Sequence, residues 1–362
     1  MRLVSIASYI SRICLQNKFD RTKMNSYIKN WWNWLRYEPN DPLFKSGGVI
    51  RIAVIGGGTG LANLLRGLKQ YSTHISAIVT VADEGGSTGQ LREDFDMLAP
   101  GDIRKCIGAL ASDESLLSNL FEHRFSKEKK LFGGHTLGNI WITALTDYFG
   151  SFEKAVEVTS EIFQTAGRVL PATLSNIDLV IKYEDGKTLK GEHYLDEILK
   201  KIVKVTLTKP SAAAYDKAAS AILNADLVIV GPGSLYGSII PNLLIKGIRD
   251  AVIQNKKAVK VYIANCSTER TQTRNFSIED HIKEIKKYGG KKIVEYCLVN
   301  SKILRSTEDE TVLGEIHNIT TNKKESEGVK IVLSDVIDDK NPLFHDSDKL
   351  AKSLIELYNK VK

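Results

Sequence analysis

Five stretches of small and polar residues stand where an apolar run gives way to a new pattern, and each carries side chains suited to an anionic or hydroxylated ligand. The first is Gly56-Gly57-Gly58-Thr59-Gly60, with Asn63 one turn later. Glycine permits positive φ and close approach of a ligand, while the free N–H groups and dipole of a helix N-terminus favour negative charge. Read as a dinucleotide fingerprint the stretch is Gly58-x-Gly60-x-x-Asn63, with its third glycine missing and no P-loop Lys-Ser/Thr following. A phosphate cradle and a plain tight turn both fit. The second stretch is Asp83-Glu84-Gly85-Gly86-Ser87. Its acidic pair suits ribose or sugar hydroxyls, or a magnesium ion at a pyrophosphate through Asp83; an acidic cap beside a solvated loop is the alternative. In the third, Pro100 to Cys106, Asp102 is spaced to cap a helix and Arg104 lies in its first turn, as a phosphate contact or a surface ion pair. The fourth runs from Gly133 to Asn139, where His135 and Asn139 stand four apart at a helix entrance. The fifth is Gly231-Pro232-Gly233-Ser234-Leu235-Tyr236-Gly237-Ser238; two serines and a tyrosine mark its mouth, and Asn265 follows a later strand. Two glycine turns in one chain suit a nucleotide diphosphate, which needs donors from more than one side.

These loops need strands behind them and helices in front. The β-branched run Ile52 to Ile55 predicts a strand buried on both faces, and Leu61, Leu64, Leu65 and Leu68 predict the helix after it. Further strands are expected over Ile75 to Val81, Ala225 to Val230, Val259 to Ala264, Ile293 to Val299 and Val329 to Val336. Helices are expected after Asn139, over residues 151–165, after Ser238 and from Lys349 to Val361. Gly167 to Thr173 reads as the end of the 151–165 helix. Ile177 to Lys190 alternates and turns at Glu184-Asp185-Gly186-Lys187, a hairpin signature that implies an antiparallel insertion near 175–207. The expected fold is a Rossmann-like α/β/α sandwich with a mostly parallel sheet. In such a sheet the carboxyl ends of neighbouring strands open onto one crevice, which the acidic loop and the glycine turn would share.

The formal net charge is +7, but residues 1–45 hold eight Lys/Arg against three Asp/Glu, so the remainder carries only +2. A nucleic-acid groove is not indicated. Cys14, Cys106, Cys266 and Cys297 lack CxxC spacing, which suggests neither zinc nor a disulfide framework and fits a reducing cytoplasm. Residues 1–48 read as a basic, Trp-rich extension with a Ser-Gly-Gly linker, and residues 49–362 as the α/β domain. Trp31, Trp32 and Trp34 beside Lys29 and Arg36 suit weak peripheral contact with the inner membrane surface; a helix packed on the domain is the plainer reading. Arg12 interrupts the apolar run before them, against a signal peptide or a spanning helix, and Met24 is an alternative start.

The ordered motifs IGGGTGLANLLRGL, VADEGGSTGQLR, PGDIRKCIGALA, GGHTLGNIWITALT, GRVLPATL and ADLVIVGPGSLYGSIIPNLL resemble the YvcK-like gluconeogenesis factors, relatives of the CofD-like 2-phospho-L-lactate transferases. The resemblance covers nearly everything from Arg51 onward. It implies a Rossmann-like fold that binds a nucleotide sugar such as UDP-N-acetylglucosamine, in a regulator that links carbon metabolism to cell-wall precursors and cell shape. In the transferase relatives it implies movement of a phospholactyl group from a nucleotide diphosphate carrier onto a deazaflavin with a divalent metal. Asp83 falls where the family has the first of two aspartates. The second is Glu84 here, Lys105 replaces a usual Asn, and Gln90 a common Arg, so charge is redistributed around the crevice. A binding regulator without turnover is the preferred expectation, since no base, acid and nucleophile form a catalytic set. A Mg2+-dependent transferase is the alternative, and a nicotinamide dehydrogenase fits poorly. The expected partners are the UDP-sugar and an enzyme of amino-sugar or peptidoglycan precursor synthesis; a homodimer is left open.

Overall fold

Every residue of Ile52-Ala53-Val54-Ile55 is at most 1% exposed, which is why a β-branched run without alternation forms the central strand. The computed structural model describes residues 50–112, 116–303 and 317–362. The expectations placed on residues 1–48 lie outside the described residues. From Ile50 the described chain forms one compact unit.

In chain order the first elements are β1 (Ile52–Gly56), α1 (Gly58–Leu68), β2 (Ile75–Val79), α2 (Ser87–Phe95), α3 (Gly101–Leu110), α4 (Leu116–Glu122), α5 (Leu137–Phe149), α6 (Phe152–Ile162) and β3 (Gly167–Pro171). The insertion follows as β4 (Leu179–Tyr183), β5 (Thr188–Lys190), α7 (Tyr194–Glu197) and β6 (Ile202–Leu207). Then come α8 (Asp216–Leu223), β7 (Leu227–Val230), a π-helical turn (Leu235–Ile239), α9 (Ile240–Leu244), α10 (Lys246–Gln254) and β8 (Val259–Ile263). The chain closes with α11 (Ile278–Gly289), β9 (Tyr296–Asn300), β10 (Glu325–Ser326), β11 (Val329–Ser334) and α12 (Ser347–Val361).

The main sheet has eight strands in the order β10-β11-β9-β8-β7-β1-β2-β3, all parallel pairs except β10 with β11. The chain leaves β1 toward β2 and β3 on one side and returns through β7 on the other, so β1 and β7 form the topological switch point. The hairpin and the insertion take their expected antiparallel form as a separate sheet, β5-β4-β6. Among the described residues no helix is long and apolar enough to cross a membrane, and Cys106, Cys266 and Cys297 are buried free thiols.

Three expectations need correction. Gly167 to Pro171 does not merely end a helix; it is the edge strand β3, paired in register with β2 from Ile75 to Val79. Its proline stands at the last position, where an edge strand tolerates a missing donor. The strand expected from Ile293 begins only at Tyr296, because Ile293 closes a turn after α11, its N donating to Gly290 O at 3.2 Å. Around the acidic loop, β2 ends at Val79 rather than Val81, and Ser87 opens α2, a helix not expected there.

Candidate functional site

At the switch point the two glycine turns touch through their backbones. A Cβ on Gly60 would stand 3.2 Å from Gly233 N and 3.2 Å from the Pro232 carbonyl carbon, and one on Gly233 would stand 3.1 Å from Gly57 O. Only residues without side chains let the loops after β1 and β7 approach this closely. The turn at Gly58 has φ +68°, a second reason for glycine there. Ser238 lines the same floor: its Oγ lies 3.4 Å from the Cβ position of Gly58. Thr59 and Ser238 thus stand at this crevice with Gly57, Gly58, Gly60, Gly231 and Gly233.

Asp102 departs from its expected role. The cap position of α3 is Pro100 and no side chain caps the helix. Instead Asp102 Oδ2 accepts from Gly58 N at 2.7 Å, and Oδ1 accepts from Lys105 Nζ at 3.0 Å. This chain's own carboxylate therefore occupies one anion position of the first turn. Asp83 comes to the same place from β2: Oδ1 accepts from Gly85 N at 2.8 Å, and Oδ2 lies 3.0 Å from the Cβ position of Gly101, the first residue of α3. Burial, then the Asp102 charge, raise Asp83 above the usual carboxylate range. For Lys105 burial works downward, but Asp102 and Asp83 outweigh it and hold the ammonium above its ordinary value.

The partner of Asp83 across this opening is Asp102, not Glu84. Glu84 turns toward the insertion, where Oε1 lies 3.6 Å from Arg92 Nη1 and Oε2 3.9 Å from His193 Nδ1. Burial and then a shared proton with Asp178 push Glu84 up to about 7. Asp178 is held near about 2 against the effect of burial, by hydrogen bonds from Glu84, Lys190 and Arg92. Arg92, 5% exposed, bridges Asp83 O, Ile177 O and Asp178 Oδ1, and so ties the acidic loop to the insertion.

Several other expected ligand residues are used inside the protein. Arg104 is 4% exposed; its Nε donates to Asn139 Oδ1 at 3.1 Å and its Nη1 pairs with Glu122. His135 is buried just before α5, whose cap is Thr136 accepting from Asn139 N. Asn265 clamps the β7 loop by donating to Gly233 O at 3.0 Å and accepting from Gly233 N at 3.3 Å. Ser234 Oγ accepts from Gly237 N and donates to Gln272 Oε1 at 2.7 Å. Tyr236 is 1% exposed with its ring edge-on to Phe276, and Asn63 donates to His345 O. Gly85 and Gly86 shape the entry to α2, Gly86 with φ +45°. Beside the first turn a cavity of about 180 Å³ is lined by Thr59, Ala62, Arg66, Arg104, Lys105 and Glu122. A larger one of about 320 Å³, near Asp96 to Leu98 and the start of α6, is lined by none of the glycine-turn residues.

A mostly parallel sheet whose chain reverses direction between β1 and β7 defines a doubly wound α/β protein. Within that class the chain belongs to the family of the 2-phospho-L-lactate transferase CofD, whose model matches residues 52–337, and within it to the gluconeogenesis factors. The gluconeogenesis factor of Bacillus subtilis is 39% identical over 313 residues, covering 85% of this chain and 98% of that one. That of Listeria innocua is 38% identical over 314 residues, covering 85% and 95%. A crystal structure of a UPF0052 family member from Bacillus halodurans superposes with a TM-score of 0.80 at 36% identity, over 86% of this chain and all of the other.

Proposed function

We propose that this protein binds a sugar nucleotide of the UDP-N-acetylglucosamine type at the crevice between the β1 and β7 turns, and regulates the flow of carbon toward cell-wall precursors and cell shape. One observation carries the reading: two glycine turns from neighbouring strands meet backbone to backbone at the switch point, around Ser238, Thr59 and Lys105. Such a place offers donors from two sides to a diphosphate. Several thiols and imidazoles are sealed inside the protein. Burial raises the thiols of Cys106, Cys266 and Cys297 and lowers His281 and His345 to about 4, so these sealed groups supply neither nucleophile nor base at the crevice. The partner would be an enzyme of amino-sugar or peptidoglycan precursor synthesis.

One feature favours a second reading, a Mg2+-dependent transferase of the phospholactyl type. Asp83 and Asp102 face the place where a diphosphate would lie, and a divalent cation there would relieve their repulsion with it. Among the described residues no group of three or more His, Cys, Asp or Glu is gathered to hold a metal. Asp83 and Asp102 would be the residues to hold such a cation, which would neutralise charge on the diphosphate. Thermal unfolding with UDP-N-acetylglucosamine, UDP, NAD or a deazaflavin, each with and without Mg2+, separates the readings. The regulator predicts a gain of ~2.7 kcal/mol with the nucleotide sugar at about 100 times its dissociation constant. Unchanged unfolding with every nucleotide would contradict both.

A further inference from the structure

Between α4 and α5 the chain folds back on itself as a short antiparallel hairpin around the Arg124–Thr136 bridge. Leu137 N donates to His123 O and Phe125 N to His135 O, both at 2.9 Å, and Arg124 Nη1 braces the stem by donating to Gly134 O at 2.6 Å. The tip is built as firmly. Gly133 N donates to Lys129 O at 2.9 Å, and a Cβ on Gly133 would collide with the carbonyls of Lys127 and Lys129. At the foot, Glu122 pairs with Arg104 and so fixes the hairpin to α3.

Every residue from Ser126 to Phe132 is exposed. Leu131 is 78% exposed and Phe132 42%, the latter with its ring centroid 5.6 Å from that of Phe125. Helix α4, which runs directly into the hairpin, adds the exposed Leu116, Leu117 and Leu120. Beside the two apolar tip residues stand Lys127, Lys129 and Lys130, against the single carboxylate of Glu128. A braced tip cannot fold these apolar side chains back into the domain, and it has little freedom left to lose on contact. Apolar side chains with a lysine shoulder match the boundary of an anionic bilayer, where the first leave water and the second stay among the phosphates. Protein interfaces are depleted in lysine, whose compact ammonium is strongly hydrated, so a protein surface suits this composition less well.

We propose that the hairpin tip, residues 126–132, is a lipid-facing surface of the folded domain: Leu131 and Phe132 enter the interface of an anionic bilayer, and Lys127, Lys129 and Lys130 meet its phosphates. This contact is separate from the one expected of residues 1–48 and independent of the nucleotide-sugar reading. A single signal holds a protein to a membrane only marginally, so the tip orients the domain rather than anchoring it.

Vesicle sedimentation and amide hydrogen exchange of the full chain test the proposal on wild type, Leu131→Asp and the double variant Lys129→Glu with Lys130→Glu. The probes are vesicles of phosphatidylcholine alone or mixed with phosphatidylglycerol, at low salt. Wild type should sediment only with the mixed vesicles, and exchange should then slow across residues 126–132. Each cation at such a surface is worth about fivefold in partitioning, so the double charge reversal should lower sedimentation about tenfold or more. Leu131→Asp should lower it about tenfold, and both variants should melt as wild type does. Bound wild type whose tip exchanges as it does in solution, or variants that sediment like wild type, would overturn the proposal and leave any lipid contact to the rest of the chain. Wild type that ignores the mixed vesicles would overturn it as well. Slowing of the tip without lipid, deepening with protein concentration, would assign these residues to contact between copies and overturn it too.

Discussion

Gly57 has an extended backbone with φ 179°, which any residue adopts, so conformation does not demand glycine there. Space does: a Cβ would stand 2.5 Å from Asp102 Oδ2 and 2.8 Å from Thr80 Cγ2. Gly58 is the reverse case, with φ +68° and only Ser238 Oγ near, at 3.4 Å. Gly57→Ala should therefore displace Asp102 from the turn and cost roughly 1–3 kcal/mol, against about 1 kcal/mol for Gly58→Ala, in denaturant unfolding of the free protein. Equal costs would contradict this distinction. Glu192 leads to a prediction about pH. Burial raises its carboxyl from 4.5 to about 8 on folding, so the stability it contributes is complete below 4.5 and is lost as pH rises through about 8. Glu192→Gln should melt higher than wild type at pH 9 without ligand, and the difference should shrink by pH 5. At this scale the sequence reveals residue types but not pairings. The glycines and Asp83 stand out in the chain, whereas Asp102 looks like a helix cap until the fold brings Gly58 to it. Glu192, in an unremarked Lys-Gly-Glu-His stretch, carries no local signal.

Elements buried on both faces, such as β1 and β7, announce themselves because a continuous β-branched run has few other homes. β3 does not, since Arg-Val-Leu-Pro is short and mixed and its pairing with β2 is supplied by the sheet. α11 is absent from the expected helices although its signals are local: Ile278, Ile282 and Ile285 recur at helical spacing and are buried, and Ser277 and Asp280 form a full capping box at its start. The insertion is legible as a hairpin, but the side chain of α2 that helps to attach it is not. Arg92→Ala would leave Asp178 without its guanidinium and the Asp83 and Ile177 carbonyls without donors. The expected loss is about 3–5 kcal/mol, as for breaking a buried ion pair, with proteolytic nicking moved into residues 175–207; an unchanged unfolding midpoint would contradict it. A similar test exists where α12 packs on α1. Gly67→Ala would drive a Cβ to 2.1 Å from Ser347 O and lift α12 from α1, so it should lower the melting temperature while leaving the affinity for nucleotides near wild type.

For the molecule as a whole, the family match begins at residue 52, and the first core strand begins at the same residue. Residues 1–48 hold five of the seven net positive charges and three of the four tryptophans, and we expect them to serve location rather than ligand binding. A chain lacking them should fold and bind as the full chain does, but no longer sediment with anionic vesicles at low salt, because each cation near such a surface contributes about 1 kcal/mol. Failure of the shortened chain to fold would assign the segment to the core. The central claim is that a nucleotide sugar lies between the β1 and β7 turns, and amide hydrogen exchange of the full chain with and without UDP-N-acetylglucosamine and Mg2+ tests it most directly. The account predicts that added ligand slows exchange in two separated stretches, residues 56–60 and 231–238. Slowing confined to other segments, or no change at saturating nucleotide sugar, would contradict it.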